Sequence, residues 1–459
     1  VKALTFEFAC RHGGGNLVGI SQEQVLPPIS IDTRTLKQGE IFWSLKGRRD
    51  GQEFVFDAIR RGANGVVVSE SWWKEKPDAS KKVPAAWIVP DRLRTLQTVA
   101  TAWRRELGIP IVAITGSNGK TTTKELVFRA LSSQLAAGGT AGNQNNHIGV
   151  PLSLLSLRAE HKVGVIEMGA NHEGEIKFLC EMAAPTDGLI TSIGRAHLEG
   201  FKDIERVAAA KGELFSFLAK DGRAFVPVED SRCVRLSQQV KKRIGFGFQQ
   251  PPDGWDGIYY EGKQLELMAD ACASFRFAGM EVRLTVPGKF WARTALAALT
   301  IAAAFGVETA RAAEAITAWQ GIPGRTQIRR LPDMTFIDDT YNANPESMRV
   351  ALELLRDLSG KRRIAVLGDM AELGAHAEKE HRDLGRDIGN LKIGKLYCLG
   401  MLSQLTAEEA RSAGVDTWHT KKAEELIDRL RKDLTKGDTV LFKASRSMAL
   451  DEVVKALVA

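Results

Sequence analysis

An α/β protein of three domains is what the sequence predicts, and three observations predict it. The chain has 459 residues, and at ~150 residues per domain that length holds three. From Ile111 onward, apolar strand-like runs alternate with helix-like stretches, and after residue 325 the alternation starts again. Such alternation builds parallel sheets covered on both faces. Two junctions carrying Gly and Pro, Leu107-Gly-Ile-Pro110 and Gly321-Ile-Pro-Gly-Arg325, separate the three stretches. The expected domains are 1–106, 107–320 and 321–459.

In the first stretch, 65–69 and 86–89 are short β-branched or aromatic runs bounded by Gly, Asn or Pro, and read as strands. Residues 53–61 and 92–107 read as helices, the second stopped by Gly108 and Pro110. In the second stretch, strands are expected at 111–115, 163–168 and 188–193, and helices at 120–135, 173–183 and 203–219. Residues 253–286 interrupt the pattern with hairpin-like material, and 290–306 is an Ala-rich helix. The last stretch places strands at 334–337, 364–367, 396–399 and 439–442. Its helices start near Pro345, His376, Lys421 and Met448. Pro345 suits a first helical turn, where its missing N–H costs nothing.

Hydrophobic residues at 44% and charged residues at 26% exclude disordered and fibrous classes. The apolar run 295–307 is shorter than the ~20 residues that span a bilayer, and Glu7 interrupts any leader-like core. A cytoplasmic, monomeric protein without membrane insertion is expected. Five cysteines, never in Cys-x-x-Cys spacing, suit reduced thiols rather than disulfides or structural zinc. The net charge of +7 is dispersed in short pairs such as Arg48-Arg49 and Arg60-Arg61. Nucleic-acid binders gather such charge in stripes, so small anionic ligands are the expected partners.

Gly116-Ser-Asn-Gly-Lys-Thr-Thr-Thr123 carries the strongest chemical signal. Between a strand and a helix, its backbone N–H groups and the helix dipole suit phosphate. Lys120 would reach the terminal phosphates and Thr121 would offer its hydroxyl to Mg²⁺. Ile114 stands where the usual P-loop spacing has Gly. Glu167, His197 and Lys211 follow at or beyond strand ends, where open α/β sheets bind ligands. Glu167 suits a cation site or a salt bridge, and His197 a cation site or a loop contact. Lys211 by itself reads as a solvated lysine. The amide-rich 142–151 suits a polar substrate or a turn built on Asn. Asp338-Asp339 suits ribose, metal or a helix start.

Together these segments resemble the ATP-dependent Mur ligases of peptidoglycan synthesis. The loop 116–123, the Glu167 and His197 positions and Arg325 are similar to features of the whole family. GNQNNHIGVP (142–151), DDTYNANPESM (338–348) and LGDMAELG (367–374) with His381 resemble the branch that adds D-alanyl-D-alanine. The resemblance runs from about Ile31 to Glu452. It implies a small α/β uridine-nucleotide-binding domain, a central P-loop-type ATPase domain with a parallel sheet, and a C-terminal Rossmann-like α/β ligase domain. It also implies an ATP-dependent ligase that joins D-alanyl-D-alanine to a UDP-linked muramoyl tripeptide through an acyl phosphate, the last cytoplasmic peptide-adding step.

Carried over by position, Gly116, Ser117, Asn118, Gly119, Lys120, Thr121 and Thr122 would bind the ATP phosphates. Thr121, Glu167, His197 and a carbamylated Lys211 would surround Mg²⁺, with Lys120, His197 and Lys211 catalytic. Arg325 would meet the γ-phosphate and Asp339 the ribose. Asp32, Thr33, Arg34, Gly47 and Asp50 resemble the uridine-diphosphate segment, Thr33 replacing a serine. Asn145, Asn146, Asn342 and Asn344 would serve the substrates, and Lys443 and Ser445 the dipeptide. Two departures stand out: Phe290, Trp291 and Thr294 replace a His and two Asn associated with adenine, and Ala444 replaces a Gly. A folylpolyglutamate-like ligase would lack the 32–51 segment. A non-catalytic nucleotide binder would not be expected to keep Lys120, Glu167, His197 and Lys211.

Overall fold

Three β-sheets organise residues 2–391 and 393–458, which the structure, a computed structural model, describes. The first sheet has five strands in the order Asn16–Val18, Ala86–Val89, Gly65–Ser69, Ile41–Trp43 and Ile29–Ser30. The first pair is antiparallel and the other pairs are parallel. Helix Arg92–Leu107 starts where the Asp91 carboxylate accepts the N–H groups of Leu93 and Arg94, and ends on Gly108 at φ +63°. The expected helix 53–61 is instead a 3-10 turn, Gly51–Phe54, running into Val55–Arg60. Helix Phe6–Gly13 and the strands of two or three residues had no expectation; such strands are too short to show a period of two.

The second sheet has nine strands. Their order is Met280–Pro287, Cys272–Phe277, Ile258–Leu267, Lys242–Gly247, Arg223–Pro227, Asp187–Ile190, Ile111–Thr115, Val163–Glu167 and Ala137–Gly139. The interruption at 253–286 is an antiparallel meander, as its hairpin-like pattern predicts. The expected strand 188–193 stops at Ile190, because residues 191–194 turn to bond the glycine loop. Helix Lys120–Ser132 stops short of 135, and Ala137–Gly139 pairs parallel with Val163–Glu167. Strands Arg223–Pro227 and Lys242–Gly247, separated by helix Ser231–Ser237, form a further unit beyond the expected elements.

The third sheet runs Gln327–Arg330, Thr335–Asp338, Asp438–Lys443, Arg362–Gly368, Lys395–Leu399 and Asp416–Thr420. Apart from the antiparallel first pair its pairings are parallel. Its core includes Phe336, Ile364, Val366, Tyr397, Val440 and Phe442, all fully buried. By contacts the chain divides into two units. One comprises 1–113, 135–169 and 177–187, and the other 114–134, 170–176 and 188–459. Among the described residues no helix is long and apolar enough to cross a membrane.

Candidate active site

Strand Ile111–Thr115 is buried along its whole length and delivers the chain into the glycine loop. Gly116 at φ +142° and Gly119 at φ +79° take angles that side chains disfavour. A Cβ on Gly116 would lie 2.1 Å from Thr191 Oγ1. The next strand end clamps the loop. Ser117 N–H donates to Ser192 O at 2.9 Å, and Thr191 Oγ1 donates to Asn118 O at 2.6 Å. The Ser117 hydroxyl donates to Gly194 O at 3.0 Å and accepts from Gly194 N–H at 2.9 Å. Lys120 Nζ donates to Gly116 O at 2.8 Å and to Ser117 O at 3.1 Å. A cation and the first N–H groups of helix Lys120–Ser132 therefore share one loop, with Thr121 and Thr122 buried behind it. That combination suits a polyphosphate.

In the other unit, Glu167 ends its strand almost fully buried, and its Oε1 accepts from Asn145 Nδ2 at 2.7 Å. Asn146 turns its amide to the backbone: Oδ1 accepts the N–H groups of Ile148 and Gly149 at 3.0 and 2.9 Å, closing the turn into helix Gly149–Ser156. Of the two asparagines, one holds a candidate ligand carboxylate and the other shapes the loop.

His197 adopts φ 55°, an uncommon angle for a residue with a side chain, and its Nδ1 lies 2.5 Å from Glu372 Oε2. The imidazole contact holds the Glu372 carboxyl below its usual range. Lys211 is not the solvated lysine that its local sequence suggests. It is 1% exposed inside helix Ile204–Leu218, donates to Ala170 O at 2.9 Å and lies over the Phe201 ring. Burial, aided by the Lys120 charge, pulls its pKa down to about 7. Much of it is then a neutral amine at physiological pH.

At the end of strand Thr335–Asp338, Asp339 Oδ2 pairs with Lys443 Nζ at 2.6 Å, and Lys443 also donates to Asn342 O at 2.9 Å. The Arg325 guanidinium stacks 3.7 Å from the centre of the Tyr341 ring. Ser445 Oγ accepts from Ala371 N–H at 2.7 Å, tying 443–446 to the LGDMAELG turn. His381 is fully buried, accepting Met370 N–H at Nε2 and meeting Ala377 O at Nδ1, so it serves that turn as a neutral ring. Asn344 caps helix Pro345–Asp357 through Ser347 N–H and donates to Asn118 Oδ1 at 2.7 Å.

In the first 106 residues, Asp32 is clasped by the Arg34 guanidinium, Thr33 is buried, and Gly47 donates its N–H to Arg49 O. Asp50 caps Gly51–Phe54 and pairs with Arg92 at 2.7 Å, which holds its carboxyl below the usual range. Neither Arg92 nor Glu372 carries an expected role in the sequence. Arg92 directly after Asp91 at a helix start, and Glu372 inside the LGDMAELG motif, were the available signals.

Trp291 belongs to the core. It is 5% exposed, donates Nε1–H to Pro287 O at 3.1 Å and packs edge-on to Trp319. Phe290 is half-buried against it. Trp291→Ala is therefore expected to cost about 3–5 kcal/mol of stability, read by denaturant unfolding. ATP-over-GTP preference measured on the folded fraction should stay unchanged. A stable Trp291→Ala with altered base preference would put the indole at the nucleotide instead.

Among the described residues no three His, Cys, Asp or Glu side chains gather into a metal cluster. Mg²⁺ does not need one, since it is held by one or two protein oxygens together with water and phosphate. The Thr121 hydroxyl in one unit and the buried Glu167 carboxylate in the other are each, by type, a hard oxygen donor of that kind.

The chain matches known proteins along nearly its whole length. A sequence family described as the Mur ligase middle domain matches residues 114–302, and one described as Mur ligase, glutamate ligase domain matches 324–446. The chain is 33% identical over 455 residues to the UDP-N-acetylmuramoyl-tripeptide–D-alanyl-D-alanine ligase of Bacillus subtilis (strain 168), covering 97% of this chain and 96% of that one. With the protein of the same name from Escherichia coli (strain K12) it shares 32% over 94% of each chain. The crystal structure of MurF from Acinetobacter baumannii superposes with a TM-score of 0.83 at 30% identity, covering 100% and 99% of the two chains. MurF ligase from Thermotoga maritima in complex with ADP gives 0.76 at 27% identity, over 94% and 97%.

Proposed function

The chain belongs to the Mur ligase family, and we propose that within it the chain is the ATP-dependent ligase that joins D-alanyl-D-alanine to UDP-N-acetylmuramoyl-tripeptide. The observation that carries this reading is the 33% identity over 97% of the chain to a ligase of that name. In this reading residues 1–106 would take the uridine nucleotide, 107–320 ATP, and 321–459 the ligation step. The reaction takes place in the cytoplasm.

A carboxylate is a poor electrophile, so ATP must first supply a leaving group. The terminal carboxylate oxygen of the tripeptide attacks the γ-phosphorus, the bond to the β–γ bridging oxygen breaks, and ADP leaves. The dipeptide amine then attacks the acyl carbon, loses a proton, and the tetrahedral intermediate expels phosphate as the amide forms. Lys120 and the loop N–H groups offset the charge that crowds the phosphates. Arg325 adds a guanidinium toward the γ-phosphate. Asp339 faces the ribose, and Lys443 and Ser445 serve the incoming dipeptide, with Lys443 kept in place by Asp339. Asp32, Thr33, Arg34, Gly47 and Asp50 hold the uridine diphosphate, while Asn145 orients Glu167 beside the muramoyl peptide.

Thr121, Glu167, His197 and Lys211 would hold Mg²⁺, which when bound supplies further neutralisation of phosphate charge. Lys211 fits as a carbamate. Its neutral amine can add to CO₂, forming an N–C bond and releasing one proton, and the product is an anionic oxygen ligand. Phosphate release that requires ATP, muramoyl tripeptide and D-alanyl-D-alanine together tests the reading. Equal release with either substrate omitted would reduce the protein to an ATPase.

A further inference from the structure

The glycine loop has two residues at positive φ and therefore little conformational preference of its own. Its shape is set from outside. Residues 191–194 supply several of the restraints, but one comes from far along the chain. Asn344 Nδ2 donates to Asn118 Oδ1 at 2.7 Å, joining residues 226 apart in sequence. The same asparagine is doubly committed at its other end. Its Oδ1 accepts Ser347 N–H at 2.9 Å, and its own N–H donates to Ser347 Oγ at 3.0 Å, a reciprocal cap on helix Pro345–Asp357. The rotamer that caps the helix is therefore the rotamer that presents Nδ2 to the loop.

The next residue but one continues the junction. Glu346 Oε1 accepts Arg195 N–H at 2.9 Å, beside Gly194. A Cβ on Gly194 would lie 3.3 Å from Glu346 Cδ and 3.6 Å from Asn118 Nδ2, so the glycine keeps this corner open. One helix start thus grips both the phosphate-type loop and the segment leading to His197. Nothing about a helix cap requires the second bond: Ser or Asp would cap equally well. Asparagine adds an N–H donor on the far side of the same planar group.

We propose that Asn344 is a positioning residue that locks the 116–119 loop in its nucleotide-binding shape through Asn118, coupling the start of helix Pro345–Asp357 to nucleotide affinity. This rests on the reading of the loop as the ATP phosphate site. It assigns Asn344 to loop geometry rather than to contact with a substrate.

Asn344→Ser separates the two tasks, since serine keeps the cap and cannot reach Asn118. The probe is ADP with Mg²⁺, titrated calorimetrically into the full chain. Asn344→Ser should bind ADP up to about fivefold more weakly, the size of one net hydrogen bond, with the melting temperature only slightly lowered because the cap is kept. Asn118→Ala should weaken binding similarly. The double variant should be no worse than the weaker single variant, because both remove the same bond. Multiplicative losses in the double variant, or unchanged binding in Asn344→Ser, would overturn the proposal. Lys120→Ala serves as the separate control. If it binds ADP like the wild type, the phosphate-site reading fails instead. If it loses binding while the double variant shows multiplicative losses, only the role of Asn344 fails.

Discussion

Lys120→Ala lowers turnover by at least about 10²–10³-fold, the scale set by removing one preorganised charge from a phosphoryl-transfer site, and leaves the melting temperature nearly unchanged. The ammonium donates to backbone carbonyls of its own loop, at Gly116 and Ser117, and the side chain is half-buried. Water can satisfy those carbonyls once the lysine is gone, so stability has little to lose. The developing charge on the γ-phosphoryl group has no such substitute. Steady-state kinetics and thermal unfolding on the same preparation check both halves. Turnover within tenfold of wild type would sink the phosphate-loop assignment.

Lys211→Ala abolishes ligation and regains part of it with short carboxylates such as formate or acetate, which can occupy the place of the carbamate oxygens. Ordinary activity without rescue would remove Lys211 from the site. The same residue makes a separate expectation about stability. Its pKa is lowered from 10.5 to about 7 in the folded chain, mainly by burial. Between those two values the unfolded chain binds the extra proton, so stability rises with pH across that window. Below about 7 both states are protonated and the full penalty of a buried ammonium is present. In CO₂-depleted buffer, Lys211→Met should therefore gain up to roughly 5 kcal/mol near pH 7 or below, with the gain fading toward pH 10.5. A gain that does not change with pH would mean that the amine is not desolvated as described.

The glycine loop was legible because its signal is local: a buried strand, two glycines, a lysine and a helix in one run of residues. Lys211 was misread from its neighbours alone, since Ala-Ala-Ala-Lys-Gly on a helix does not say which face is buried. The asparagines were ambiguous for a related reason. The same amide can face a substrate or its own backbone, and Asn146 chose the backbone while Asn145 chose Glu167. At 290–294 an aromatic side chain can by its type either stack on a base or pack in a core, and the burial of Trp291 with its bond to Pro287 O decides for packing. The pairs Arg92–Asp50 and His197–Glu372 join residues 42 and 175 apart, beyond the reach of any periodicity. The edge strand Asp416–Thr420 escaped because it is polar and only partly buried.

Amine choice tests the ligase reading most directly. Wild-type protein is incubated with ATP, Mg²⁺ and UDP-N-acetylmuramoyl-tripeptide, ending in either meso-diaminopimelate or L-lysine. The amine is a mixture of D-alanyl-D-alanine, D-glutamate, L-lysine, meso-diaminopimelate and L-alanine, and products are resolved by mass spectrometry. The expected product carries D-alanyl-D-alanine alone, with one ADP and one phosphate per amide formed. Ligation of another amine in preference, or ADP formation with no amide from either tripeptide, would contradict it.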